Sequence, residues 1–405
     1  MKRKIILILI GLSFLFLPLQ AQINLLLDVF SWQGNNGAYP YGSPVISGST
    51  LYGMTYQGGS CAEHGEGTIF KVQLDGTGFT RLHEFCDQYG SYPYGSLIVA
   101  GTTLFGMTTR GGSAYSGTIF RVETDGTGFT LLHLFDNNGS SPYGSLVLSG
   151  STLYGMTQKG GINNKGTIFK IETNGTGFTL LHEFAGGSDD GAYPYGSLII
   201  SGPTLFGMTE NGGAGDQGTI FKIQADGSGF SLKHSFAGGS ADGALPKGDL
   251  LISGSTLFGM TRKGGGSDNG TIFKIQINGT GFALLHQFAG GPADGGEPWG
   301  ALAISGSTLF GMTRNGGNMN MGTIFRVETD GNGFLLMHKF AGHPWGGAQP
   351  HGSLLFLGST LYGMTSGGGF HASGIVFSID PSACNIIHVS APVGGETWKA
   401  GSSHD

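Results

Sequence analysis

Seven copies of Leu-[Tyr/Phe]-Gly-Met-Thr recur along the chain, four strand-like runs fill each interval, and a spare fourth strand precedes the first copy. Together these predict an all-β fold, a seven-bladed β-propeller of four-stranded antiparallel blades closed by the N-terminal strand. The copies begin at Leu51, Leu104, Leu153, Leu205, Leu257, Leu309 and Leu361, giving steps of 53, 49, 52, 52, 52 and 52 residues. A fixed period of this length marks a repeat architecture. Solenoid units are usually shorter or helical, and a closed ring removes the sheet edges that seven open sheets would expose.

Residues 191–236 serve as the type unit. Its apolar runs predict strand a over Ser197–Ser201, strand b over Thr204–Thr209, strand c over Gly218–Gln224 and strand d over Phe230–Phe236. An Asp226-Gly227 pair joins c to d, a strong hairpin signal because both central residues of that turn take positive φ. No stretch of the unit keeps a 3.6-residue period, so helices are not expected.

The two ends of the array agree with closure. Leu26-Leu27-Asp28-Val29-Phe30 matches the end of strand d at Leu180–Phe184, and residues 31–42 match 185–196 without a gap. The last full unit stops at strand c, 374–380, so the N-terminal strand is expected to complete blade seven. Asn385-Ile386-Ile387-His388 is a competing strand d for the same edge.

Composition bounds the class. The chain has 405 residues, 79 of them Gly, 11% charged and 39% hydrophobic, with a net charge of −6. Glycine this abundant without a third-residue period is neither collagen nor, at this hydrophobicity, a disordered tract. The negative balance and the absence of Lys/Arg runs argue against a nucleic-acid partner. Met1-Lys2-Arg3-Lys4, the apolar run to Leu17 and a small residue at Ala21 read as a secretory signal cleaved after Ala21. No Cys follows that run, so no lipoprotein anchor is expected, and no later segment is long and apolar enough to span a membrane. The expected organisation is therefore a signal peptide over 1–21, a propeller over 23–381 and a linker with a further module over 382–405. The mature protein is expected to be a secreted or cell-surface monomeric ring.

The units Gly-Ser-Leu, then Ser-Gly-x-Thr-Leu-[Phe/Tyr]-Gly-Met-Thr, then Gly-Gly, then Gly-Thr-Ile-Phe, across about residues 39–380, resemble the GloVer (Gloeobacter/Verrucomicrobia-type) tandem repeat of secreted bacterial proteins. The resemblance implies an exported repeat protein, often with a separate anchoring tail, and it carries no established activity. Residues 387–398 resemble the opening of a bacterial immunoglobulin-like surface module. About two strands of such a module precede Asp405, too little to bury a core, and a truncated product is expected.

Turns and loops differ in kind. The a–b turns repeat Ser-Gly-[Ser/Pro]-Thr and the c–d turns repeat [Asp/Asn]-Gly-x-Gly, whereas the b–c loops diverge from copy to copy. A propeller puts b–c and d–a loops on one face, and binding residues concentrate on loops held by a rigid scaffold. Aromatics of the d–a loops (Trp32, Tyr39, Tyr41, Tyr92, Tyr94, Tyr143, Tyr193, Tyr195, Trp299, Trp345) join that face, and aromatic rings among amides suit a sugar or peptide. The repeated Tyr-Pro-Tyr-Gly tyrosines read first as wedges between blades. The candidate ligand contacts are Trp32, Tyr115, Trp299, Trp345, His343 and His371, toward a glycan or surface protein.

Other constellations fall away. His83, His133, His182, His234, His286 and His338 share one slot of strand d, the outermost strand, where equivalent positions diverge too far for a zinc site. They are expected to be structural, as are the Gly-Met-Thr methionines. Asp189-Asp190, Asp242 and Asp294 lack the alternating-acid spacing of calcium loops and read as Asp-Gly turns. Asp87, Glu63, Glu66, Asp216 and Glu297 fall on the loop face, but no spacing pairs any two for glycoside cleavage, and no such pair is expected near the central channel. The sialidase Ser-x-Asp-x-Gly-x-x-Trp box, the Gly-x-Ser-x-Gly elbow and phosphate loops are absent. Neither catalytic residues nor a metal or cofactor are assigned. In an oxidising compartment Cys61 and Cys86, on neighbouring loops of one face, are expected to form a disulfide, leaving Cys384 over. A binding or adhesion module is the leading reading, with a secreted carbohydrate-active enzyme and a purely structural surface repeat as alternatives.

Overall fold

The computed structural model describes residues 23–27, 30–31, 35–61, 65–344 and 346–384. Seven four-stranded antiparallel sheets stand around one axis as the blades of a β-propeller. Blade 4 is typical, with strands Ile199–Ser201 (a), Thr204–Thr209 (b), Thr219–Gln224 (c) and Ser231–Ser235 (d) paired in that order. Blade 7 takes strands a to c from Leu355–Leu357, Thr360–Thr365 and Ile375–Ile379, and its outer strand is Asn24–Leu27. Leu25 pairs with Phe377 and Asn24 with Ser378, so the N-terminal strand closes the ring. The competing segment 385–388 and the terminal module lie outside the described residues, as does the leader.

Strand b shows why the motif repeats. Its side chains alternate between faces, yet residues 205–209 are all buried because a blade packs on each side. Leu205 joins Tyr154, Met156 and Phe184 toward blade 3, while Phe206 and Met208 join Phe236, Leu250 and Leu257 toward blade 5. Gly207 pairs with Phe221 of strand c, and a Cβ on it would lie 2.6 Å from the Phe221 ring. The threonine buries its hydroxyl 2.7 Å from that of Thr219 and donates to the Asn211 carbonyl, so neither buried oxygen is left unpaired.

The strand d histidines knit blade to blade. His182 stacks on Phe230 of the next blade with ring centroids 3.8 Å apart, and His83, His133, His234 and His286 repeat the contact at 3.6–3.9 Å. His182 Nε2 also lies 3.1 Å from Asp190, whose carboxylate accepts the N–H groups of Ala185 and Gly191. His234 with Asp242 and His286 with Asp294 repeat this staple of the d–a loop.

Strand a is two residues shorter than the sequence suggests, because the Ser197 N–H donates to the next blade at Asp249 instead of pairing with strand b. Two-residue ribbons also form where Gly191–Ala192 of a d–a loop meets Asn211–Gly212 of a b–c loop. They hold both loop sets on one face.

Candidate functional site

The axis is closed by backbone. Each Tyr-Gly-Ser-type segment entering strand a lays its glycine against the carbonyl of the next blade: a Cβ on Gly196 would sit 2.3 Å from Gly248 O, and one on Gly248 would sit 2.1 Å from Gly300 O. No side chain fits there. The residue after each glycine extends the ring, with N–H groups of Ser43, Ser96 and Ser145 donating to the hydroxyls of Ser96, Ser145 and Ser197. Ala301 donates to Ser353 and Ser353 back to Ser43. The step from Asp249 to blade 6 lacks a side-chain acceptor because Ala301 has none to offer. Burial raises the Asp249 carboxyl above the usual range, opposed by the Ser197 N–H it accepts.

Above this ring, on the loop face, the residue before each glycine points to the axis: Tyr41, Tyr94, Tyr143, Tyr195, Lys247, Trp299 and His351. Tyr41 stacks on Tyr94 and Tyr143 on Tyr195, both with centroids 4.6 Å apart. The cavity they leave is about 50 Å³, room for water and nothing larger. Any larger ligand must rest on the face. Burial drives the phenols of Tyr94 and Tyr195 well above their usual range. It drives His351 down to about 3, helped by the charges of Arg314 and Lys247, so that imidazole is neutral at pH 7.

The residues that follow Gly-Met-Thr form a second circle: Tyr56, Thr109, Gln158, Glu210, Arg262, Arg314 and Ser366. It is polarised. On blades 1 and 2, Tyr56 lies 5.0 Å from Tyr92 and 5.1 Å from Tyr41, centroid to centroid. On blades 4–6, Lys247 Nζ is 3.1 Å from Glu210, Lys263 Nζ is 2.8 Å from Glu297, and Arg262 and Arg314 flank the same two carboxylates at 3.9 and 3.6 Å. Against burial, which would raise it, Lys263, Arg262 and Arg314 hold the Glu297 carboxyl below its usual range. Lys247 and Arg314 also stand 4.6 and 5.4 Å from the Trp299 ring centre. The Nε of Arg262, the Nε of Arg314 and the indole N–H of Trp299 are buried without an acceptor among the described residues. Each such donor costs about 1–3 kcal/mol.

Of the residues singled out from sequence, Trp299 reaches this axial cluster, where its ring faces Lys247 and Arg314. Tyr115 is 66% exposed at the tip of blade 2. His343 and His371 do not touch but flank Phe370 on blade 7, and His343 Nδ1 lies 3.0 Å from the Gly369 carbonyl. Trp32 and Trp345 lie outside the described residues. Cys61 and Cys86 are joined, with Cα atoms 5.6 Å apart. Sequence reasoning missed Lys247, Arg262, Lys263, Arg314 and His351. The signal lay in the slots: Lys247 and His351 stand where the first four copies have tyrosine.

Beside the disulfide, the Glu66 carboxylate accepts the Asp87 N–H, and burial and the neighbouring Asp87 carboxyl raise its pKa. This carboxyl pair was not anticipated from spacing. It sits in blade 1's outer loops rather than at the axis. Among the described residues no cluster of three or more His, Cys, Asp or Glu could hold a metal ion, and no helix is long and apolar enough to cross a membrane.

Comparison with known proteins adds a repeat family and a fold. Residues 11–215 and 201–400 match the Gloeobacter/Verrucomicrobia repeat. No curated protein matches the sequence. Among solved structures, an oligogalacturonate lyase in complex with manganese aligns at a TM-score of 0.56 and 12% identity, over 90% of this chain and 95% of its own. The oligogalacturonate lyase of Vibrio parahaemolyticus gives 0.54 and 11%, over 89% and 93%. A puromycin-hydrolyzing peptidase of Mycobacterium tuberculosis gives 0.55 and 14%, over 91% and 55%. At these identities the likeness is one of fold alone.

Proposed function

The chain belongs to the Gloeobacter/Verrucomicrobia repeat family, and from that footing we propose that this β-propeller repeat protein is an exported binding module that takes up a glycan on its loop face. One observation carries the reading: the slots around the axis change chemistry from blade to blade on the loop face, while the turns of the opposite face are near copies. A face selected only for geometry needs no such differences. Half-buried Tyr39, Tyr41, Tyr56 and Tyr92 offer ring surface beside polar groups, the combination that binds sugars. The closed axis confines the ligand to the surface, which suits an extended chain better than a small metabolite.

Catalysis by loop-face acids has less support. Glycosidase carboxyls stand about 5–9.5 Å apart with substrate or water between them, whereas Glu66 and Asp87 are in hydrogen-bond contact with each other. Export rests on the basic and apolar leader of residues 1–21. A glycan array probed with the folded chain tests the function: selective retention that Tyr56→Ala abolishes supports it, and no retention of any glycan contradicts it. Intact mass of the exported product tests the leader, with Gln22 expected as the first residue.

A further inference from the structure

We infer that the glycan is acidic, and that its carboxylate or sulfate groups dock on blades 4–6 against Arg262, Lys263, Arg314 and Lys247 while its sugar rings extend toward the tyrosines of blades 1 and 2. This rests on the glycan reading above and narrows its ligand class.

Charge count comes first. Four cations share two carboxylates, Glu210 and Glu297, leaving a surplus of two positive charges on a chain whose net charge is −6. The surplus is densest here: the equivalent positions are Ser366 and Gly367 on blade 7 and Tyr56 and Gln57 on blade 1, and blades 2 and 3 carry one cation each, Arg110 and Lys159.

Donor count comes second. Three of the five buried side-chain polar atoms without a partner among the described residues belong to Arg262, Arg314 and Trp299. Donors in excess of acceptors, gathered in one sector, match an acceptor-rich anion. Guanidinium groups in particular pair with carboxylates and sulfates through two parallel hydrogen bonds. Trp299 acts as a positioning residue: its ring lies against Lys247 and Arg314, and it stands edge-on to Tyr195 and His351 with centroids 5.8 and 4.8 Å away.

Field and shape come third. Burial raises the Tyr41 and Tyr94 phenols and lowers His351, and the Arg314 charge pulls all three downward, so it acts across the mouth of the axial ring. Burial also disfavours the charged form of His351, which therefore adds no cation at neutral pH. A long polyanion such as nucleic acid would meet the chain's net negative charge, whereas a short acidic oligosaccharide meets mainly this sector.

Isothermal titration of the full mature chain with hexagalacturonate, a sulfated dextran oligomer and maltohexaose tests the inference. Acidic hexamers are expected to bind at least tenfold tighter than maltohexaose, and to weaken as salt rises from about 50 to 300 mM. Lys263→Gln and Arg314→Gln should each weaken the acidic ligand about three- to tenfold and leave maltohexaose unchanged, with Lys170→Gln on a strand c as the control. Unaltered melting of Lys263→Gln separates loss of binding from loss of fold. Whether carboxylate or sulfate is preferred follows from the two acidic arms. Equal affinity for maltohexaose, or indifference to both variants, overturns the acidic inference and leaves the glycan reading standing. Equal binding of poly-glutamate overturns saccharide recognition, and no binding of any sugar contradicts both.

Discussion

Single residues at the axis hold most of what this fold cannot lose. Gly248 lies 2.1 Å, at a notional Cβ, from the Gly300 carbonyl, and that neighbour is backbone locked in the ring. Gly248→Ala should therefore destabilise by about 3 kcal/mol, read as a shift in urea midpoint with unchanged slope, whereas Gly254→Ala strains a turn but meets no atom within 4 Å. His351 gives a pH signature. Its folded-state pKa is depressed to about 3 and the unfolded value is near 6.5, so its contribution is complete above about pH 6.5 and fades as pH falls toward 3. His83, depressed by burial to about 4, adds in the same direction. His351→Gln should remove on the order of 2 kcal/mol of the stability difference between pH 7 and pH 4, seen in melting curves at the two pH values. The sequence shows a glycine in each copy of this slot but not that its neighbour is the next blade. Lys247 and His351 were visible as departures from tyrosine, yet only the ring places them on either side of Trp299. Arg262 and Arg314 follow a motif that reads as scaffold, so their position over the axis was not legible without the strand register.

At the level of elements, strands b and c of the type unit were legible almost to the residue because their apolar runs end at threonine and at Asp-Gly turns. Strand a was read too long, since its first residues spend their hydrogen bonds across blades. The Gly-Ala/Asn-Gly ribbons went unseen because two residues carry no alternation. The closing strand was legible from the unpaired strand-d match at Leu26–Phe30. It covers Ile375–Ile379, whose residues are all buried. Deleting residues 23–31 from the mature chain should expose that edge and give aggregation in place of a cooperative transition, and a synthetic peptide of those residues should restore solubility. The disulfide closes a loop of 25 residues. Its replacement by Cys61→Ser with Cys86→Ser should cost about 3 kcal/mol on the loop-entropy argument, measured against the oxidised parent. Equal stability of the two would mean the loop is already held by other contacts.

For the whole molecule, the architecture separates a copied face from a varied one, and the functional claim rests on that separation. Interblade packing repeats one apolar cluster after another around the ring, so the scaffold leaves the loop face free to differ by blade. The variation was legible in sequence; its convergence on a closed, polarised axis was not, because that depends on which slots the ring brings together. Hydrogen–deuterium exchange of the mature chain with and without a saturating acidic oligosaccharide tests the account most directly. Protection is expected in peptides containing Tyr56, Lys247, Arg262, Trp299 and Arg314, with none in the a–b and c–d turns. Protection centred on those turns, or binding that leaves the loop face unprotected, would contradict it.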